Sequence, residues 1–377
     1  MSLDLNKIRE EIDEVDKNIV ELFQKRMDLC KDVAEFKIEN GKNVLDRQRE
    51  AQKIEKVTSL AEGEFNSKGV DELFTQIMSL SRKLQYGLLT EHGMSEDTGF
   101  KPIEHVNKEN VRVVYQGVPG AYSYQAMISY FGKDVDNFNV KTFNDAMKAV
   151  NDGSADYAVL PIENTTAGIV NDVYDLLVEY DNCVVDEVDV VVRHALLGTK
   201  DADINNIDVV YSHPQGIMQC REFLDEHPDW KRIAQENTAM SAKKVVEENI
   251  NTHAAIASTM AADIYGLKVL AENINRNNEN TTRFIIVAKD KVYKKDAKKV
   301  SICFTIPHES GTLYNMLSHF IFNNLNMSKI ESRPMKDRSW EYRFFVEFIG
   351  NFKEPATLNA LKGIKEEAVS MRIFGNY

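Results

Sequence analysis

From Asp4 to Asn40 the chain contains neither Gly nor Pro, and Ile8, Ile12, Val15, Ile19, Leu22, Leu29 and Val33 recur at the steps of one helical face. The pattern predicts a single helix, ended by Gly41, that is about 50 Å long at 1.5 Å per residue. Helices of that length belong to bundles or intertwined oligomers. Two more helical stretches follow, Asp46 to Ala61 and Val70 to Leu89, and then a polar segment over residues 91–110 that lacks periodicity and reads as a linker. At Val111 the rhythm changes. Short β-branched runs (VRVVY, NVKTF, YAVLPI, IDVVYS, AAIAS, RFIIVA) alternate with helical stretches such as NDAMKAVND and AMSAKKVVEEN, which predicts α/β layering on a largely parallel sheet. Residues 298–377 read strand, helix, strand, strand, helix, strand, the βαββαβ order of a ferredoxin-like α+β domain. The expected organisation is an all-α region over 1–90, a linker over 91–110, an α/β region over 111–291 and an α+β region over 298–377.

Composition narrows this picture without redrawing it. At 377 residues the chain exceeds one ordinary domain, and 43% hydrophobic with 28% charged residues is the balance of a soluble globular protein. A net charge of −13 repels nucleic acid and anionic membranes, so an anionic ligand calls for locally placed cations. The four cysteines (Cys30, Cys183, Cys220, Cys303) form no CxxC pair, which predicts a reducing compartment and no structural metal. There is no apolar signal core and no run long enough to span a bilayer, so the expected location is the cytoplasm. Phosphate-loop and dinucleotide patterns are absent, and no cofactor is expected.

Cations on the first helix deserve weighing against simple solvation. Arg26 and Lys37 are 11 residues apart, about three turns, so they share a face and can grip two ends of one small molecule. Arg9 lies roughly 25 Å from Arg26 along the axis and reaches that ligand only from a second, antiparallel chain. Asp46, Arg49, Glu50 and Lys53 form a charged stripe on the second helix, either a solvated face or the wall of a site. Ser81 and Gln85 put two neutral hydrogen-bonding groups on the mainly apolar face of the third, where they need partners from the protein or a ligand. In the α/β region, ligands are expected beyond the carboxyl ends of strands, at GVPGAYS, PIENTTAG and SHPQ. Gly117, Pro119 and Gly120 mark a turn ahead of a helix, and TTRF, residues 281–284, opens an apolar strand.

REEIDEVDKNIVELFQKRMDLCKDVAEFK, VLDRQRE and SLSRKLQ together resemble the helical chorismate mutase family over about residues 4–90. The resemblance implies that Arg26 and Arg49, with Arg9 of a partner chain, bind the two substrate carboxylates. It implies further that Lys37 and Gln85 donate to the ether oxygen, that Glu50 and the Asp46 region hold the ring hydroxyl, and that Ser81 assists a carboxylate. Those residue types suit a rearrangement that needs no nucleophile, only a compact chair conformer and donors aimed at the oxygen where negative charge grows.

GVPGAYS, DYAVLPIENTTAGIVNDVYDLL, VYSHPQ, ENTAMSA, AAIAS and TTRF resemble prephenate dehydratase, in the same order and with similar gaps. This implies two lobes of the periplasmic-binding-protein type, Thr282 as the catalytic residue in the cleft between them, and Ser123, Glu163, Asn164, Thr165, Gln215 and Gln219 around the substrate. HESGTLYNML, ESRP and SMRIFGNY resemble the ACT regulatory domain of phenylalanine-forming dehydratases. That resemblance implies feedback inhibition by L-phenylalanine between paired domains, bound by Gly311, Thr312 and Leu313 and by Glu331, Ser332, Arg333 and Pro334. The whole then implies conversion of chorismate to prephenate and of prephenate to phenylpyruvate by a homodimer or higher oligomer.

Overall fold

The first helix, α1 (Leu5–Asn40), is held at both ends by its own sequence. The Asp4 carboxylate accepts from the N–H groups of Asn6 and Lys7, and Gly41, at φ +60°, turns the chain out of the helix. Asp46 caps α2 (Arg47–Thr58) in the same way, through the Arg49 N–H. The third helix, α3 (Glu64–Glu91), starts before the expected Val70 because EFNSK propagates the helix without needing an apolar face. A computed structural model provides this description, which covers residues 4–276, 279–335 and 341–377.

The elements that follow are β1 (Lys101–Ile103), β2 (Arg112–Gln116), α4 (Tyr122–Phe131), β3 (Asp136–Val140), α5 (Phe143–Asp152), β4 (Tyr157–Asn164), β5 (Gly168–Ile169), α6 (Asn171–Glu179) and β6 (Cys183–Val191). After these come β7 (Ala195–Gly198), β8 (Val209–Ser212), α7 (Pro214–Gln219), α8 (Arg221–Asp225), β9 (Lys231–Ala234), α9 (Thr238–Glu248), β10 (His253–Ala257), α10 (Thr259–Tyr265), β11 (Lys268–Ala271), β12 (Thr281–Ala288) and β13 (Val292–Lys294). The chain closes with β14 (Lys299–Thr305), α11 (Thr312–Phe322), β15 (Met327–Pro334), β16 (Tyr342–Ile349), α12 (Pro355–Glu367) and β17 (Ser370–Asn376).

The molecule falls into two compact units. One runs from Gly99 to Ala297 with Phe374–Tyr377 added, and contains two sheets, β3-β2-β4-β12-β6 and β11-β7-β10-β8-β9. Each sheet packs as a separate lobe. The first lobe buries Val113, Tyr115, Met127, Val159 and Ile286, and the second is packed on both faces, with Leu196 and Ile256 on one side and Leu197 and Ala255 on the other. The sheets are mixed rather than largely parallel. β12 runs antiparallel to both β4 and β6, and β7 antiparallel to β10 and β11. Residues 101–103, expected in a linker, form β1 and pair with β13.

The other unit joins the residues up to Thr98 with Lys298–Ile373, two regions expected to be separate domains. The four strands lie in the order β15-β16-β14-β17. The buried positions of α3 include Met78, Arg82, Lys83, Gln85 and Tyr86, which point in several directions around the helix, because α1 and α2 as well as α11 and α12 pack on it. Lys83 Nζ donates to Ser318 Oγ at 2.7 Å and the Tyr86 hydroxyl to Glu366 Oε2 at 3.1 Å. Gly363 permits the approach, since a Cβ there would stand 3.2 Å from the Tyr86 ring and nearer still to His319. Gly363→Ala, which in an exposed helix gains stability, is therefore expected to cost about 1–3 kcal/mol here. A lowered thermal midpoint checks this, and a raised one would show that the helices do not close-pack there.

Candidate active sites

The first site is built where β4 and β12 run antiparallel. Their register pairs Thr282 with Asn164, Arg283 with Glu163 and, after a bulge, Phe284 with Pro161. Alternation along the strands turns Asn164, Thr282, Pro161 and Phe284 into a cleft of about 370 Å³. Arg283 leaves on the other face, where its guanidinium meets Glu163 at 2.8 Å and Glu187 at 3.0 Å. Of the residues expected here, Ser123, Asn164, Gln215, Gln219 and Thr282 line the cleft. Glu163 and Thr165 do not. Glu163 is held by Arg283, and Thr165 Oγ1 accepts the Thr281 N–H at 3.0 Å.

Gly117 and Gly120, at φ +108° and +88°, shape the turn before α4, and the Gly120 carbonyl accepts from Ser258 Oγ of the other lobe. The first turns of α4 and α9 thereby face the cleft, with Tyr122, Ser123 and Thr238 in its wall. No Lys or Arg among the described residues lines this cavity, contrary to the expectation that cations would hold an anion. Helix starts and neutral amides occupy the wall instead.

A continuous hydrogen-bond chain sets the orientation of Thr282. Asn164 Oδ1 accepts from the N–H groups of Thr166 (3.0 Å) and Ala167 (2.9 Å) and from Thr166 Oγ1 (2.7 Å). This leaves Asn164 Nδ2 to donate to Thr282 Oγ1 at 2.8 Å and to Asn280 Oδ1 at 2.8 Å. Because Thr282 Oγ1 accepts there, its own hydrogen is available to the cleft. Thr166 Oγ1 takes a bond from Gln219 Nε2 (2.9 Å), and Gln219 Oε1 lies 2.9 Å from His194 Nε2, whose Nδ1 is 3.1 Å from the Tyr122 hydroxyl. Burial lowers the His194 pKa, with the Gln219 bond opposing, so burial favours the neutral ring. Tyr122, Thr166, His194 and Asn280 were not picked out from sequence. His194 sits in an apolar run, VVVRHALL, where a histidine reads as core.

The second site lies on the three N-terminal helices. Arg26 Nη1 donates to Ser81 Oγ at 2.5 Å, and Gln85 Nε2 to the Ser81 carbonyl at 3.1 Å. Gln85 Oε1 is buried and meets no donor among the described residues. Lys37 Nζ donates to the Val44 carbonyl at 2.6 Å; burial lowers its pKa while Glu50 and Asp46 act to raise it, which places those carboxylates near it. The Asp46 carboxylate serves as the cap of α2, Glu50 is bound to Arg82, and Arg49 and Arg9 are exposed. Arg82, passed over in sequence, is buried beside this site. A third pocket, of about 390 Å³, is lined by Gly311, Thr312 and Leu313 together with Tyr342 and Phe344. Glu331, Ser332, Arg333 and Pro334 fall on β15, across β16 from it, and do not line it.

The prephenate dehydratase family model matches residues 113–292 and that of chorismate mutase type II matches residues 8–86. Along its whole length the chain is similar to a bifunctional chorismate mutase/prephenate dehydratase of Buchnera aphidicola subsp. Schizaphis graminum, 33% identical over 99% of this chain and 96% of that protein. This chain belongs to the bifunctional chorismate mutase/prephenate dehydratase family. The corresponding Pseudomonas aeruginosa protein is 32% identical over 99% of this chain and 97% of its own length. Among solved structures, the chain is similar to the prephenate dehydratase of Arthrobacter aurescens in complex with L-Phe, with TM-score 0.66 and 28% identity over 71% of this chain and 89% of that one. The Staphylococcus aureus prephenate dehydratase gives TM-score 0.62 and 27% identity over 71% and 99%. As a chorismate mutase/prephenate dehydratase, the protein catalyses both reactions. The mutase match falls on the three helices and the dehydratase match on the two lobes.

The buried His194 gives the dehydratase region an acid-sensitive element. Its folded pKa is below the ordinary 6.5, so the unfolded chain binds this proton more readily. The resulting stability is complete above the unfolded value and is lost as the pH falls below it toward the folded one. Denaturant midpoints at pH 7.5 and 5.5 are expected to fall further for the native protein than for His194→Gln; an identical fall would show that His194 is not held neutral.

Proposed function

We propose that Thr282 is the hydroxyl donor that assists dehydration. Prephenate becomes aromatic as the bond to its ring carboxylate breaks; that electron pair enters the ring while the ring hydroxyl departs and is protonated to water. The departing oxygen gains charge, and the Thr282 O–H, with Asn164 Nδ2 bonded to the same oxygen, supplies a hydrogen bond to it. The Asn164–Thr282 contact is the observation that carries this reading. Ser123, Gln215 and Gln219 orient the substrate, and the starts of α4 and α9 receive its carboxylates. The two lobes then act as in periplasmic-binding-protein folds, with the ligand enclosed between them. Thr282→Ala is expected to lower phenylpyruvate formation by about 100-fold or more while chorismate is consumed normally. Unchanged dehydration in that variant would remove Thr282 from the role.

The mutase reading assigns the substrate carboxylates to Arg26, Arg49 and the Arg9 of a second copy, the ether oxygen to Lys37 and Gln85, the ring hydroxyl to Glu50 and the Asp46 region, and carboxylate support to Ser81. Two observations support an antiparallel homodimer. Ile12, Val15, Ile19, Leu22, Leu29, Val33 and Phe36 are all exposed on α1, and the 36-residue helix is unbroken between Arg9 and Arg26. Mixing Arg9→Ala with Arg26→Ala chains, each inactive alone, is expected to restore about a quarter of the mutase activity, because half of the random dimers regain one intact site. No restoration would contradict shared sites.

The βαββαβ segment reads as a ferredoxin-like ACT domain by which L-phenylalanine inhibits the enzyme. Gly311, Thr312 and Leu313 form the carboxylate end of that site, and Glu331 to Pro334 of a paired domain complete it. The four cysteines are free thiols, in keeping with a cytoplasmic enzyme.

A further inference from the structure

Leu45 to Glu50, the stretch that supplies one wall of the mutase site, is held by two adjacent glutamates at the end of α12. Glu366 Oε2 accepts from the Leu45 N–H at 3.3 Å and from the Tyr86 hydroxyl at 3.1 Å. The Glu367 carbonyl accepts from Arg47 Nη2 at 2.8 Å. The Glu367 carboxylate engages one edge of the Arg82 guanidinium, Nε at 2.7 Å and Nη2 at 3.3 Å, and Arg82 Nη1 donates to Glu50 Oε2 at 2.5 Å. The Arg82 and Glu367 side chains are each 9% exposed and that of Glu50 28%, so water does little to replace the bonds between Arg82 and Glu367.

A guanidinium is planar, and a carboxylate prefers to grip it with both oxygens along one edge. With Glu367 on the Nε–Nη2 edge of Arg82, Glu50 takes a single bond, from Nη1 to its Oε2. Its second oxygen, Oε1, has no donor among the described residues. If Glu367 released that edge, Arg82 would be free to turn and take Glu50 through both oxygens.

We propose that Arg82, oriented by Glu367, is a positioning residue of the mutase: it restrains Glu50 by one oxygen and keeps the other for the ring hydroxyl of chorismate. The inference rests on the reading of Glu50 as the hydroxyl acceptor, and it makes a residue of the C-terminal region part of the framework of the helical site. Neither Arg82 nor Glu367 touches the substrate in this arrangement. The hydroxyl is not a reacting group, so its contact contributes to ground state and transition state alike, and losing it raises KM more than it lowers kcat.

The test is mutase kinetics of the full-length chain for Glu367→Gln, Glu50→Ala and the double variant, with dehydration of added prephenate as the measure of intact folding. Glu367→Gln is expected to raise the chorismate KM by about tenfold, the worth of a hydrogen bond to a charged group, with kcat nearly unchanged and dehydration unaffected. In the Glu50→Ala background the same substitution is expected to add nothing. A paired variant, R82M/E367L, removes both members of the buried Arg82–Glu367 pair at once, so neither is left without the other; it is expected to show the same KM increase. If Glu50→Ala impairs the mutase while Glu367→Gln does not, or if the two losses multiply in full, the positioning role is overturned and the Glu50 reading stands. If Glu50→Ala itself leaves the mutase unimpaired, the Glu50 reading fails, and this inference fails with it.

Discussion

A buried arginine between two carboxylates ties the mutase helices to the end of the chain. Arg82 loses its water on α3, and that cost is tolerable only because Glu50 and Glu367 supply acceptors on two sides. Glu367 is affected in turn. Burial alone would raise its pKa, but His319 and Arg82 outweigh that and hold the carboxyl at about 2. The three groups come from α3, α2 and α12, separated in sequence by most of the chain, so none finds its partners until the helical and C-terminal regions pack as one unit. The wall of the mutase site inherits its position from that packing.

Under the proposed assignments the two active sites handle anions by opposite means. On the proposed reading, Arg26, Lys37 and Arg49 surround the mutase ligand with charge, which suits a rearrangement whose transition state concentrates charge on one oxygen. In the dehydratase cleft the wall holds amides, hydroxyls and helix starts but no Lys or Arg among the described residues. There a chain of donors and acceptors running from His194 through Gln219, Thr166 and Asn164 fixes the Thr282 hydroxyl, which on the proposed reading faces the departing group. Loosely held cations would offer attraction without that orientation.

Much of this was legible in sequence where local chemistry decides the outcome. The lack of Gly and Pro up to Asn40 and the Gly41 stop define α1 almost to the residue, whereas α2 ends at Thr58, short of the expected Ala61. The alternation of strands and helices indicates α/β layering, but the direction of β12 does not follow from its composition: it returns from the second lobe to run antiparallel between β4 and β6, and that makes the sheet mixed. The same return decides which residues of ENTT and TTRF face the cleft. Asn164 and Thr282 share a face, whereas Glu163 is turned to Arg283 by strand alternation, a distinction that depends on a bulge invisible in the motif. Arg82 was missed for a related reason. In SLSRKLQ a charged pair reads as the solvated side of a helix, and only the packing of α12 against that side buries it.

The most direct measurement is a crystal structure of the full-length protein with a non-reactive bicyclic mimic of the chair transition state in the mutase site. The mimic's hydroxyl should lie on Glu50 Oε1, with Glu50 Oε2 still on Arg82 and Arg82 still on Glu367, and with Arg9 of a second copy closing the carboxylate end. A mimic bound with Glu50 turned away, or with Arg82 released from Glu367, would contradict the dependence of the mutase site on the C-terminal region.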